Sequence, residues 1–255
     1  MSYNTRRYFE KRIRKKVGSA LHDYSMITSQ DKVMVAISGG KDSIVLLQVL
    51  CDLRKAAPVQ FDIIPVHIRT GFEKDFEKVA IWIQNELHLE VMQIDSHISN
   101  ILQKVSDPEK STCALCSRLR RGVLYGLAPR LSASSIALGH HMDDIIETFL
   151  LRCFFTGQIG AMAPSRVSND GKNRVIRPMA YCTNDLVENY FHYLDIEPVE
   201  TLCPLRNDSK RELVRAYLSE FERQIPTVKY SIFAALGNID TKSMCLKEGI
   251  YAYHD

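Results

Sequence analysis

No apolar run in this 255-residue chain approaches the roughly 20 residues that a bilayer span needs, and the longest candidates, such as Ile44–Leu50, are short and interrupted. The basic N-terminus has no apolar stretch behind it, so no secretory signal is expected. Seven cysteines, an odd number, do not make a disulfide framework, which favours a reducing compartment, the cytoplasm, with thiols free for chemistry or metal. No internal repeat, low-complexity tract or evident linker is present. Hydrophobic residues at 45% and charged residues at 25% exclude disorder, collagen and coiled coil as classes.

What is present begins with charge. Arg6, Arg7, Lys11, Arg12, Arg14, Lys15 and Lys16 face Glu10 alone within residues 1–16, so +6 sits there and the rest of the chain carries −3 of the net +3. A basic arm on a mildly acidic body suggests a polyanion bound at one place. Tyr8, Ile13, Val17 and Leu21 recur at helical spacing, which predicts an amphipathic helix docked on the body.

Further along, Lys32–Ser38 reads as a buried parallel strand running into Gly39-Gly40, and Asp42 to about Lys55 as an apolar helix. Phe61–Ile68 reads as a second strand, which Pro65 pushes toward a sheet edge. Phe76–Leu89 is an expected helix with the single tryptophan, Trp82, in the core. Glu90–Ile94 and Ser135–Gly139 are expected strands, and Ser117–Leu131 and Asp143–Phe155 expected helices. Glu197–Leu202 is strand-like, and the tail forms helices over Lys210–Arg223 and Val228–Leu236. Strands alternating with helices of this length imply βαβ units, hence a parallel twisted sheet with helices on both faces.

Three segments carry chemistry. Ser38-Gly39-Gly40-Lys41-Asp42-Ser43 lies between a strand and a helix, where backbone N–H groups and the helix end favour a phosphate. Ser38 and Ser43 add hydroxyls and Lys41 a cation, yet the spacing matches neither GxxxxGK[ST] nor GxGxxG. The second segment, Gly139-His140-His141-Met142-Asp143-Asp144, puts adjacent carboxylates at a strand's carboxyl end, where they can cap a helix or hold Mg²⁺ beside phosphates. The third is the pair Cys113 and Cys116, with Cys203 far downstream. A lone CxxC serves zinc, iron–sulfur or dithiol chemistry, but a closed zinc site wants four ligands. Three cysteines would hold a [4Fe–4S] cluster with one iron open to an exogenous sulfur. Cys51 and Cys153 fall inside apolar helices and are expected to be core residues. Cys182 and Cys245 remain unassigned.

SGGKDS resembles the PP-loop of the ATP pyrophosphatase superfamily, the adenine nucleotide alpha hydrolase-like fold. Together with Cys113–Arg121 (CALCSRLRR), IALGHHMDDIIET and Val175–Cys182 (VIRPMAYC), it makes the chain from about Arg14 to Asn238 similar to the TtcA family of tRNA 2-thiocytidine biosynthesis enzymes. That resemblance implies ATP with Mg²⁺, tRNA as substrate, thiolation of cytidine 32 in the anticodon loop, and a [4Fe–4S] cluster on Cys113, Cys116 and Cys203. Lys41, Asp42 and Asp143 become the expected catalytic residues. Ser38, Gly39, Gly40, Lys41, Asp42, Ser43, Gly139 and His140 would hold the nucleotide, and Asp143 and Asp144 the Mg²⁺. Arg118, Arg120, Arg121 and Arg177 are candidates for RNA phosphate or ATP. A sulfur donor such as a cysteine desulfurase is the implied partner, no membrane is involved, and a homodimer is allowed. Residues 1–30 form the basic helical arm and 31–255 one PP-loop domain with C-terminal helices.

Two departures from the family pattern stand out. The run Cys203-Pro204-Leu205-Arg206 lacks a second downstream cysteine, and Val66–Phe72 (VHIRTGF) replaces an Asn-Leu-Asp run and a longer loop. Two other readings remain: a ligase of the lysidine-synthase type, which would not need the three cysteines, and a non-catalytic tRNA-binding protein with a relic nucleotide site.

Overall fold

A computed structural model describes residues 3–105, 112–200, 203 and 209–245. Helix α1 spans Tyr3–Asp23, and Ile13, Val17 and Ala20 on one face are fully buried. Burial of Ile13 and Val17 contributes about 1.5–3 kcal/mol each, which docks the basic arm on the body. Tyr8, expected in that face, is exposed, and Phe9 packs on the core instead.

Strand β1 (Lys32–Ala36) leads through the glycine loop into α2 (Lys41–Ala56), whose residues Ile44–Leu47 and Val49–Cys51 are all buried. Next come β2 (Asp62–Arg69) and α3 (Phe76–Trp82), which continues as one π-helical turn over Ile83–Leu87. Trp82 is partly buried against the main core. Then follow β3 (Met92–Asp95), α4 (Ile98–Val105), α5 (Thr112–Leu127), β4 (Ser135–Ala137) and α6 (Met142–Thr156). The remaining elements are β5 (Ser165–Val167), β6 (Arg174–Ile176), α7 (Asn184–Phe191), α8 (Ser209–Gln224) and α9 (Val228–Ala235).

The strands form one sheet in the order β3-β2-β1-β4-β6-β5. All neighbours are parallel except β5, which pairs antiparallel with β6. Alternation within β1 divides the core. Val33 and Val35 join α1, α2, α3 and α7 on one face, while Met34 joins α4 and α5 on the other. A third cluster, built on Met142, Ile146 and Leu218, seats α8 and α9 against α6. The strand order reverses between β1 and β4, so the crevice beyond their carboxyl ends is where such a sheet binds ligands.

Several expectations need correction. Pro65 lies in an interior strand, not at an edge. The Val66 carbonyl accepts from Ile37 N–H, so Val66 turns its polar groups to β1 and Pro65 turns toward β3, where pairing begins only at Val66. Helix α5 starts at Thr112 and not at Ser117, so Cys113 and Cys116 lie inside its first two turns. Residues 197–200 form no strand, and residues 201 and 202 of that stretch lie outside the described residues. The elements α4, β5, β6 and α7 add to those the sequence pattern predicts.

Candidate active site

The loop after β1 closes on its own hydroxyls. Ser43 Oγ accepts from Ser38 N–H at 3.2 Å and donates to the Gly40 carbonyl at 2.8 Å, and Ser38 Oγ accepts from Gly40 N–H at 3.3 Å. Gly39 holds φ +87°, and a Cβ there would come within 2.6 Å of Val199, whose N–H donates to the Gly39 carbonyl at 2.9 Å. No side chain fits at that position. Ser43 N–H donates to the Gly40 carbonyl at 3.1 Å, while the N–H groups of Lys41 and Asp42 at the start of α2 have no acceptor within the helix, so the loop is a cradle for an anion.

Lys41 Nζ donates to Asn184 Oδ1 at 2.7 Å and pairs with Asp42 at 3.0 Å and Glu188 at 3.1 Å. Burial works against its charge, but the charges and hydrogen bonds of Asp42 and Glu188 outweigh it and hold the ammonium above its ordinary range. The cation is therefore permanent at neutral pH.

The segment after β4 meets the loop directly: Gly139 lies against the backbone of Asp42 and Ser43. His140 is partly buried, its Nδ1 is without a hydrogen-bond partner among the described residues, and burial drives its imidazole down to about 4. His141 caps α6. Its N–H donates to Asp144 Oδ2 at 3.1 Å, and its ring stands 4.0 Å from Asp42 Oδ1. Asp143 is buried with both oxygens engaged: Oδ1 pairs with Lys229 Nζ at 2.9 Å and Oδ2 accepts from Asn184 N–H at 2.7 Å. Asp144 faces His141 and, at 3.7 Å, Arg211. Each Asp143 oxygen therefore has one partner already, whereas Asp144 is held more loosely, and a Mg²⁺ at this pair would share these oxygens with the ion pairs. Here the carboxylates join helices.

Cys113 and Cys116, three apart on α5, share a face. Cys116 and Cys203 both pack on the second core cluster. Burial raises the Cys116 thiol, Arg120 opposes that rise, and Cys203 and Cys113 add to it, so Cys116 lies within electrostatic reach of both other thiols. None is in a disulfide. Ligands of a cubane bind different irons and stand further apart than those of one ion, and thiols grouped around Cys116 suit such a cluster. The hydrogen bonds of Val199 to Gly39 and of Lys74 N–H to the Glu200 carbonyl carry the chain across the loop toward Cys203.

The other cysteines divide. Cys51 and Cys182 are core, their thiols pushed up by burial to about 11 and about 12. Cys153, expected in the core, is partly exposed, and Cys245 is exposed. Arg118 and Arg121 are exposed along α5. Arg177 donates to the Ala163 carbonyl at 2.6 Å, and burial together with the charge of Arg121 lowers its guanidinium to about 10. A cleft of about 340 Å³ opens beside the loop, lined by His67, Arg69, Gly71, Glu73, Phe76 and Gln93.

Sequence reasoning missed Asn184, Glu188 and Lys229, which bear on Lys41 and Asp143. It also missed Arg211 and Arg215, which grip buried Glu147 at 2.6–3.1 Å. The only available signal was the i, i+4 spacing of the two arginines on α8.

Residues 8–221 match the family described as PP-loop domain. The tRNA-cytidine(32) 2-sulfurtransferase of Shewanella oneidensis is 42% identical over 233 residues, covering 90% of this chain and 74% of the relative. The Pseudomonas fluorescens protein of the same name is 42% identical over 235 residues, covering 90% and 84%. The chain belongs to the tRNA-cytidine(32) 2-sulfurtransferase family. This sulfurtransferase also shares its fold with the U34-tRNA thiolase NcsA from Methanococcus maripaludis, solved with its [4Fe-4S] cluster. That match has a TM-score of 0.77 at 22% identity and covers 94% of this chain and 84% of the other. Among the described residues, no helix of the sulfurtransferase is long and apolar enough to cross a membrane.

Proposed function

We propose that this sulfurtransferase replaces the 2-oxo group of cytidine 32 in the tRNA anticodon loop with sulfur, using ATP. The carrying observation is the meeting of the Ser38–Ser43 loop and the Gly139–Asp144 segment at the switch point of the sheet, in a chain that also gathers Cys113, Cys116 and Cys203.

The 2-oxo oxygen is a poor leaving group, so it is first made into a phosphate ester. Oxygen attacks the α-phosphorus of ATP, the bond to the β-phosphate breaks and pyrophosphate departs. Sulfide then bonds to C2, and AMP leaves with the original oxygen. Backbone N–H groups of Gly39, Lys41 and Asp42 and the Lys41 ammonium stabilise the charge that develops on the departing pyrophosphate. Asp42 holds Lys41 in place from the loop side. Gly139 and His140 close the nucleotide site, with the His140 ring neutral at pH 7. Mg²⁺ would arrive on the phosphates of ATP. Cys113, Cys116 and Cys203 would hold a [4Fe–4S] cluster, which supplies sulfur bound at the iron the protein leaves free.

The arginines of α5 and the arm of α1 face RNA in this reading. A loop cytidine suits the chemistry because an unpaired base can be splayed into a pocket. A cysteine desulfurase is the natural sulfur donor, and a reducing cytoplasm suits thiols that stay free. Nucleoside mass spectrometry of tRNA from cells with and without the gene tests the reading. Loss of 2-thiocytidine on deletion, restored by the intact gene, is the expected result. Unchanged 2-thiocytidine would refute it.

A further inference from the structure

Lys229 lies on α9, far in sequence from every motif, yet its ammonium ends inside the site. Its side chain is 11% exposed, and Nζ sits 2.9 Å from Asp143 Oδ1 and 2.7 Å from Glu222 Oε2 on α8. Beside it, Leu218, Val228, Ile232 and Phe233 of the α8–α9 hairpin pack with Met142, Ile146 and Leu150 of α6, and Arg211 and Arg215 of α8 pair with Glu147. An ammonium placed beside such a contact loses hydration, and only its two carboxylate partners offset that loss.

From Asp143 the contacts continue without a gap to the phosphate loop. Its second oxygen accepts from the N–H of Asn184, the first residue of α7, at 2.7 Å. The Asn184 side-chain oxygen accepts from Lys41 Nζ at 2.7 Å, and Glu188, one turn further on α7, pairs with the same ammonium at 3.1 Å. Asp143 is therefore a node between the C-terminal hairpin and the loop lysine.

We propose that Lys229 is a positioning residue for the nucleotide loop, acting through Asp143 and the first turn of α7 on Lys41. The proposal rests on the reading that the loop binds ATP. Without the Lys229 ammonium, Asp143 keeps a buried oxygen with no partner, and its grip on the Asn184 N–H loosens. Asn184 Oδ1 and Glu188 then no longer define where Lys41 stands. The hairpin thus does more than cover α6, since the geometry of the phosphate cradle depends on it.

The test is ATP affinity by titration calorimetry, alongside tRNA affinity by filter binding, on the full chain. Lys229→Met should weaken ATP binding by about tenfold, the order expected for unpairing a buried charge, and leave tRNA affinity unchanged. Lys229→Arg should restore most of the ATP affinity. Ile232→Val, which trims the same hairpin contact without touching the ion pairs, should leave ATP affinity at the wild-type value. Combining Lys229→Met with Glu188→Gln should cost less than the product of the two single effects, because both act on Lys41. If Lys229→Met does not fold, Glu222→Gln, which removes only the outer anchor, should shift ATP affinity in the same direction. Wild-type affinity in the Lys229 or Glu222 variant, or an equal loss in Ile232→Val, overturns the proposal while the functional reading stands. A wild-type chain that binds no ATP overturns both.

Discussion

Gly139 packs against Asp42 so closely that a Cβ would come within 3.0 Å of the Asp42 carbonyl carbon and 3.1 Å of its oxygen. Two motifs distant in sequence are in backbone contact there, and backbone cannot swing aside as a flexible side chain can. Gly139→Ala should therefore push the start of α2 away from β4, at a cost of about 1–3 kcal/mol. Thermal unfolding should show a lowered Tm, and calorimetry a weakened ATP affinity. An alanine variant identical to wild type in both would mean that the two motifs move independently.

Lys41→Ala should abolish thiolation of tRNA while the circular dichroism spectrum stays native, since among the described residues Lys41 bonds to partly exposed Asp42, Asn184 and Glu188. Asp42→Ala should behave likewise. A loss of at least about a hundredfold is expected for removing a donor aimed at developing charge. Full thiolation by either variant would take the loop out of the mechanism.

Neutralising Arg12, Lys15 and Lys16 to glutamine should weaken tRNA binding and flatten its dependence on salt by about one phosphate contact per lost charge. Arg12 and Lys15 are exposed on α1, while Lys16 lies 5.7 Å over the Tyr230 ring, so Lys16 should contribute least. An unchanged slope would assign the arm to solubility.

Cys113→Ala, Cys116→Ala and Cys203→Ala should each abolish thiolation and remove the visible absorbance near 400 nm of anaerobically purified protein, a typical iron–sulfur band of roughly this wavelength. Cys51→Ala and Cys153→Ala should do neither. Stoichiometric zinc with full activity and no iron in the anaerobic protein would overturn the cluster assignment.

His67 is buried, stacks on Phe76 and bonds the Ile37 carbonyl through Nδ1 at 2.8 Å. Burial holds its pKa below the ordinary 6.5, an effect its hydrogen bond only partly opposes. Above that value the ring is neutral in both folded and unfolded chains and contributes no pH dependence. As pH falls below it, the unfolded chain takes a proton that the folded one resists, so stability is lost. Urea midpoints at about pH 7.5 and about pH 5 should differ more for the wild type than for His67→Gln. Equal differences would mean that the folded protein protonates the ring freely.

Local sequence determined the frame of this protein and the parts of its site that depend on short-range order. Apolar runs ending in glycine dictate β1 and the loop after it, and helical spacing dictates α1, α2, α6, α8 and α9. Both periodicities are written within a dozen residues. The loop, the Gly139–Asp144 segment and the CxxC were readable for the same reason. Tertiary structure decided the rest. Three-residue strands such as β5 and β6 are too short for any period, and they exist because β4 offers β6 an edge. Pro65 reads as an edge residue until the register delays β3 pairing to Val66. The partners of Asp143 could not be read at all, because Lys229 reaches it through an ion pair. An ion pair requires only that two charges meet in space, and it leaves no spacing in the chain.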